Sequence, residues 1–268
     1  MTAKVVKEIE TLILEFQNNR NMLLRVRWSI LVLIGLFQVM NVVATTSAEP
    51  LHVALLGDSN TWIGGDDCSD EHGWSRWFVQ CFHPATCYSF ARSGATWSHT
   101  PRTFKDTKEY TEVISDNNVV LNQLYRLLDS LAKHRTPMPD VVVIAAGTND
   151  AWFADKRPDA LQGGVAEAVD KVCSIIRRQM PKARVLLLTP IPSAKISAGR
   201  ITKVGDIIER SAALAGVECL RLDKVGCIDA DKERKKYVMT RDGVHTSTDG
   251  ARCIGEAVAQ YLLTTKIK

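Results

Sequence analysis

The sequence has 268 residues, of which 46% are hydrophobic and 24% are charged. These proportions are those of an ordinary globular protein. The formal net charge is only +4, and Lys and Arg are scattered among acidic residues, so the sequence lacks the charge pattern of a nucleic-acid-binding protein.

The first 48 residues differ in character from the rest of the chain. Residues 4–17 carry apolar side chains at helical spacing, which predicts an amphipathic helix. Further along, an unbroken apolar run covers 30–37, with Arg25 and Arg27 before it and small residues at 46–48 after it. A positive charge, an apolar core and small residues, in this order, are typical of a secretory signal peptide. We therefore expect an exported protein, in the periplasm or the extracellular space.

A second interpretation of this segment is a signal anchor. Residues 28–48 are long enough to span a bilayer if they are not cleaved, and the protein would then face outward from the membrane. The stretch from Met22 to Ala48 has the proportions of a complete signal peptide, so Met22 is an alternative start and 1–21 would be an upstream extension. Both interpretations restrict membrane contact to residues 1–48 and begin the folded domain at residue 49. Neither predicts the oligomeric state.

From residue 49 to residue 268, short apolar runs alternate with longer helical patterns. Five runs are predicted to be strands, at 51–56, 86–91, 140–146, 184–189 and 217–222. Helical patterns cover 73–82, 118–134, 159–180, 202–215 and 248–263. This alternation predicts an α/β fold: a flavodoxin-like three-layer α/β/α sandwich around a mostly parallel sheet of about five strands.

All seven cysteines lie in the predicted domain. Export would allow them to form disulfides, and the odd count leaves at least one without an intrachain partner. The sequence shows neither a CxxC motif nor the Cys/His spacing of a zinc site, so no metal and no other cofactor is expected. The positions are Cys68, Cys81, Cys87, Cys173, Cys219, Cys227 and Cys253.

The first chemical motif is Gly57-Asp58-Ser59, directly after the first predicted strand. In parallel sheets, ligands bind beyond the carboxyl ends of the strands, so a serine here is a candidate nucleophile. The segment differs from the G-x-S-x-G turn of α/β-hydrolases because Thr61 occupies the place of the second Gly. Alone, such a tripeptide arises easily by chance.

Two further motifs follow later strands. Gly94 comes after the second predicted strand, where a residue without a side chain lets a backbone N–H approach a ligand oxygen. Asn149 lies in Gly147-Thr148-Asn149-Asp150, after the third strand, and its amide could donate to a developing oxyanion. The alternatives are an ordinary turn glycine and an Asn–Asp turn without a ligand.

The fourth motif is Asp242-Gly243-Val244-His245, just before the last predicted helix. An Asp and a His three residues apart on a loop can fold so that the carboxylate holds one imidazole nitrogen and leaves the other free to accept a proton. The alternative is an Asp at the start of a helix with an incidental His.

Together the four motifs, each present once, resemble blocks I, II, III and V of the SGNH (GDSL) hydrolase superfamily, from about residue 51 to the C-terminus. The resemblance implies a serine-dependent ester hydrolase with Ser59 as nucleophile, His245 as base and Asp242 as the third member of the triad. It also implies an oxyanion hole formed by the N–H groups of Ser59 and Gly94 and the side chain of Asn149.

The same resemblance gives structural roles to two acidic residues and shows one departure. Asp58 and Asp150 would shape their turns. Many members have Asn at the start of block II, whereas the matching position here is near Ser89. Because that residue positions the loop and does not react, we expect the chemistry to survive.

Trp62, Trp97 and Trp152 each follow a motif residue by three positions. If the loops fold as predicted, these rings line one cleft suited to sugar faces or acyl chains; otherwise they only pack the loops. With the predicted export, they favour a glycan or small-molecule ester as substrate and removal of a short acyl group, acetyl, from a carbohydrate. The alternatives are a lysophospholipase or thioesterase of the same superfamily, and a non-catalytic glycan-binding domain.

Overall fold

Five parallel strands form the centre of the computed structural model, and their order across the sheet is Thr86–Ser89, His52–Gly57, Val141–Ala145, Arg184–Leu188 and Glu218–Leu220. The structure describes residues 51–98, 119–154 and 164–265, together with residues 7, 8, 10, 11 and 14. The strands are β1 His52–Gly57, β2 Thr86–Ser89, β3 Val141–Ala145, β4 Arg184–Leu188 and β5 Glu218–Leu220. The helices are α1 Ser59–Trp62, α2 Trp74–Phe82, α3 Val120–Ala132, α4 Thr148–Trp152, α5 Val165–Gln179, α6 Ala198–Ala215, α7 Ala230–Lys235 and α8 Thr248–Thr264.

The sheet is covered on both faces because its strands bury side chains in both directions. Along β1, Ala54 and Leu56 enter one apolar cluster, and Val53 and Leu55 enter a second one. Helices α3, α5 and α6 supply the first cluster, whereas α2 and α8 supply the second. The predicted three-layer α/β/α sandwich with a parallel five-stranded sheet is confirmed.

Helices α2 and α8 approach each other closely at Gly255. A Cβ atom at this position would lie 2.4 Å from the carbonyl oxygen of Trp74 and 2.7 Å from the amide nitrogen of Phe78. A larger residue would therefore separate the two helices, on the face of the sheet opposite α3, α5 and α6.

The strand register brings the ends of two strands together. In the β1–β3 pair, Leu56 is opposite Ile144 and Gly57 is opposite Ala145. Since both strands point the same way, the segments that follow Gly57 and Ala145 emerge side by side. These are the segments that carry Ser59 and Asn149.

Some element boundaries differ from the predicted ones. Helix α6 begins at Ala198, one turn before the predicted residue 202, because the buried Ile201 extends its apolar face. Helices α1, α4 and α7 were not predicted, since four, five and six residues are too few for a periodic pattern. The beginning of the predicted helix 159–180, up to residue 163, lies outside the described residues.

The chain divides into two units, Met1–Glu49 and Pro50–Lys268. In the first unit, the described residues 7, 8, 10, 11 and 14 are helical. The predicted signal peptide or anchor lies outside the described residues. Among the residues that the structure does describe, no helix is both long enough and apolar enough to cross a membrane.

Candidate active site

Ser59 is the first residue of α1, immediately beyond β1. The preceding residue, Asp58, caps this short helix by accepting a hydrogen bond from the amide of Asn60 at 3.1 Å. The amide of Asp58 donates to the carbonyl of Ala145 at the end of β3, at 3.0 Å. The turn is thereby fixed to two adjacent strands, with Ser59 at the carboxyl edge of the sheet.

Asp58 is buried with only 2% of its surface exposed. Burial has the largest influence and raises the pKa of its carboxyl group to about 6, although hydrogen bonds from Asn60 and Thr148 act in the opposite direction. The side chain of Asp58 caps the nucleophile turn through Asn60, and His245 influences it only electrostatically.

The side chains of Ser59, His245 and Asp242 form one hydrogen-bonded chain. Nε2 of His245 lies 3.0 Å from Oγ of Ser59, and Nδ1 lies 2.8 Å from Oδ2 of Asp242. The other carboxylate oxygen of Asp242 accepts from the amides of Val244 at 2.9 Å and His245 at 2.8 Å. The sequence-predicted nucleophile, base and acid are thus brought together.

Asp242 remains ionised at every pH near neutrality. Partial burial, the largest influence, raises its pKa, but the hydrogen bonds from His245 and Val244 together outweigh burial and lower the pKa to about 2. An ionised carboxylate only accepts hydrogen bonds, so Nδ1 of His245 carries the proton and Nε2 is left to accept from Ser59.

Asn60 connects the nucleophile turn to the loop of the base, a role that the sequence did not suggest. Its side-chain oxygen accepts from the amide of Thr246 at 3.2 Å, and its nitrogen donates to the carbonyl of Val244 at 3.4 Å. These contacts flank His245 on both sides. Asn60 therefore fixes the imidazole relative to the neighbouring Ser59.

Glu233 on α7 holds the chain that leads to Asp242, and it too was missed. Its buried carboxylate accepts from the amides of Val238, Met239 and Thr240 at 2.9 to 3.1 Å and from the hydroxyl of Thr240. Oγ1 of Thr240 in turn accepts from the amide of Gly243 at 3.2 Å. The carboxylate thus anchors one end of the turn that presents Asp242, and the hydroxyl of Thr240 anchors the other.

The turn with Gly94 lies at the same sheet edge. The amide of Arg92 donates to the carbonyl of Gly57 at 3.1 Å, and Gly94 has a φ of 77°, in the region that favours glycine. Nδ2 of Asn149 donates to the carbonyl of Ala95 at 2.8 Å. Within the described residues, the backbone N–H groups of Ser59 and Gly94 have no protein acceptor.

Two buried polar residues fix these loops. Oδ2 of Asp150 accepts from the amide of Trp97 at 2.9 Å, and Oδ1 accepts from the amide and hydroxyl of Ser98 at 3.0 and 2.7 Å. The fully buried Gln123 on α3 accepts from the amide of Gly57 at 2.8 Å and donates to its carbonyl at 2.9 Å. In the sequence, the only indication of this role of Gln123 is that a polar residue occupies the apolar face of a helix.

The three predicted tryptophans have different environments. Trp62 and Trp152 are 46% and 45% exposed, whereas Trp97 is fully buried in the core and donates through Nε1 to the carbonyl of Ala146 at 3.1 Å. The prediction that Trp97 lines a cleft is therefore wrong. Ser89, the departure from the block II pattern, accepts from the amide of Ala91 at 3.2 Å and so shapes this loop.

An open cavity of about 680 Å³ lies beside the triad. Its wall includes Trp62, Arg92 and Arg241. These residues belong to the segments that carry Ser59, Gly94 and Asp242, respectively. Neither Ser59 nor His245 lines the cavity itself.

Cys227, in the loop after β5, and Cys253, in α8, form a disulfide with 5.7 Å between their Cα atoms. The other five cysteines are free thiols. Among the described side chains, no group of three or more His, Cys, Asp or Glu residues is arranged to hold a metal ion.

Comparisons with known proteins agree with this architecture. An acetyl xylan esterase structure aligns with a TM-score of 0.54 and 20% identity over 80% of this chain and 100% of its own. A carbohydrate acetylesterase from Sinorhizobium meliloti gives 0.52 and 20% identity over 80% and 98%, and a phospholipase A1 from Streptomyces albidoflavus gives 0.52 and 17% over 79% and 99%. At these identities the likeness shows the fold. No curated protein matches the sequence significantly.

The family comparison is more specific. The model of the GDSL-like lipase/acylhydrolase family matches residues 55–253, which is most of the chain and includes both Ser59 and His245. The chain belongs to the GDSL-like lipase/acylhydrolase family, whose members hydrolyse esters.

Proposed function

We propose that this hydrolase removes acetyl groups from a carbohydrate outside the cytoplasm, with Ser59, His245 and Asp242 as its catalytic triad. The observation that carries the proposal is the continuous hydrogen-bonded chain from Oγ of Ser59 through His245 to Asp242, at 3.0 and 2.8 Å. This arrangement has the geometry required for nucleophilic catalysis by a serine.

The reaction proceeds in two steps. Nε2 of His245 accepts the proton as Oγ of Ser59 attacks the ester carbonyl carbon, and the amides of Ser59 and Gly94 with the side chain of Asn149 stabilise the negative oxygen. The tetrahedral intermediate collapses, and the alcohol leaves with the proton from His245. A water molecule, deprotonated by the same base, then cleaves the acetyl-enzyme and restores the serine.

Three observations support the carbohydrate and the exported location. Trp62 and Trp152 expose nearly half of their surface, and flat indole faces suit sugar rings. Two of the aligned structures are an acetyl xylan esterase and a carbohydrate acetylesterase. The disulfide between Cys227 and Cys253 is the kind of bond that persists in oxidising compartments, in keeping with the predicted signal segment.

The test is hydrolysis by purified protein and its variants. We expect Ser59→Ala to lower kcat on p-nitrophenyl acetate by on the order of 10⁴-fold or more. Asn149→Ala, which removes one donor of the oxyanion hole, should lower kcat about 10²- to 10³-fold. Ser174→Ala on α5, away from the site, is the matched control and should keep full activity.

Substrate choice is tested with acetylated xylan against a lysophospholipid, by measuring released acetate and fatty acid. Faster release of acetate supports the proposal, and faster release of fatty acid makes the protein a lysophospholipase. Wild-type rates in Ser59→Ala would refute the assigned nucleophile. If a fluorophosphonate probe does not label Ser59 and glycan binding persists, the domain is a non-catalytic glycan-binding protein.

A further inference from the structure

The cavity beside the triad is built from three of the segments that form the site. Trp62 lies one turn after Ser59 on α1, and Arg92 precedes Gly94 in the turn anchored to Gly57. Arg241 directly precedes Asp242, and its amide donates to the carbonyl of His245 at 2.8 Å. A substrate whose ester reaches Ser59 would place its remaining part in or against this cavity.

Arg92 and His72, two of the side chains that line the cavity, are hydrogen-bonded to carboxylates of the same cavity. Nη1 of Arg92 lies 2.9 Å from a carboxylate oxygen of Asp66, and Nδ1 of His72 lies 2.9 Å from one of Asp70. In the described part of the chain, the exposed guanidinium of Arg241 makes neither a hydrogen bond nor an ion pair, and it influences Asp70 only at longer range. Arg241 is therefore the cation available to a ligand.

The balance of charge limits the kind of anion that fits. The two arginines are offset by Asp66 and Asp70, so a doubly charged phosphate would meet two carboxylates in the same cavity. A carboxylate carries half of that charge and meets about half of that repulsion, and its two oxygens match the planar guanidinium with two parallel hydrogen bonds. The exposed ring of Trp62, on the same wall, offers a flat surface to a sugar.

We propose that the cavity is a subsite for an acidic sugar, a uronate residue of the acetylated carbohydrate, with its carboxylate on Arg241 and its ring on Trp62. Since this names the carbohydrate of the substrate, it rests on the proposed acetylesterase function. Arg241 determines specificity and takes no part in the acetyl transfer.

Binding is tested apart from catalysis, in the Ser59→Ala background. Oligogalacturonate and an oligogalactose of equal length are titrated into this variant by calorimetry. We expect the acidic ligand to bind about two- to fivefold more tightly, the range expected for an exposed charge pair. Adding Arg241→Gln, or raising the salt to 1 M, should abolish the difference. Arg252→Gln, which removes an exposed arginine paired with Asp249 on α8, is the control and should retain it.

Catalysis is then compared on the acetylated forms of the two oligosaccharides. The wild type should show the same two- to fivefold preference in kcat/KM for the acidic substrate, and Arg241→Gln should hydrolyse the two substrates with equal kcat/KM. Equal binding of the two ligands, or a preference unchanged by Arg241→Gln, overturns the subsite. A binding preference without hydrolysis of any acetyl ester would keep the subsite and refute the proposed function.

Discussion

Replacing Asp58 by Asn should change the way stability depends on pH. Burial raises the pKa of this carboxyl group in the folded protein from its ordinary value of 3.8 to about 6. An acid with a raised pKa contributes its full stability below pH 3.8 and loses it as the pH rises through about 6. At 1.36 kcal/mol for each pH unit, the difference corresponds to about 3 kcal/mol. Asp58→Asn cannot ionise, and part of the loss has already occurred at pH 4, so between pH 4 and pH 8 it should gain about 2.5 kcal/mol of unfolding free energy relative to the wild type.

Urea denaturation of both proteins at several values between pH 4 and pH 8 measures this change. A constant offset is expected as well, because the amide of Asn presents a donor to Thr148, but the offset does not depend on pH. Asp129→Asn is the control: Asp129 is exposed beside Lys133, which lowers its pKa, so its titration lies below this pH range. Parallel stability curves for Asp58→Asn and the wild type would refute the argument.

Two further perturbations test the supports of the site. Glu233→Gln places the NH2 group of the glutamine against backbone N–H groups that now donate to the carboxylate. We expect kcat to fall about 10²-fold with KM unchanged, because a small displacement of Asp242 misaligns the base. An unaltered kcat in a folded variant would contradict this role. Reduction of the disulfide between Cys227 and Cys253, 26 residues apart, should lower the unfolding free energy by roughly 3 kcal/mol, seen as a shift of the urea midpoint. An unchanged midpoint would refute this contribution of the disulfide to stability.

The sheet and the hydrogen-bonded trio were predictable because their signals are local. Buried parallel strands appear as continuous apolar runs, and residues just after them meet at one edge of the sheet. Asp242 and His245 are three residues apart, so one loop suffices to join them. Only the contact between His245 and Ser59 depends on the tertiary fold, and the predicted parallel sheet brings both residues to the same edge.

The supporting contacts could not be predicted, because each joins residues that are distant in sequence. Gln123 reaches Gly57 across 66 positions and Asn60 reaches Thr246 across 186, and both look like ordinary polar residues in their own segments. Trp97 was assigned wrongly because a spacing of three residues after a motif does not determine which way a side chain points. The hydrogen bond from the amide of Trp97 to Asp150 fixes this loop, and the indole ring of Trp97 lies in the core.

The nucleophile comes from the first strand–helix turn of the domain, and the base comes from the loop before its last helix. A chain emerging from the ribosome therefore cannot pair Ser59 with its base until nearly all of the domain has been synthesised. For the same reason, labelling of Ser59 by a fluorophosphonate would report whether the whole domain has folded, and not merely one part of it.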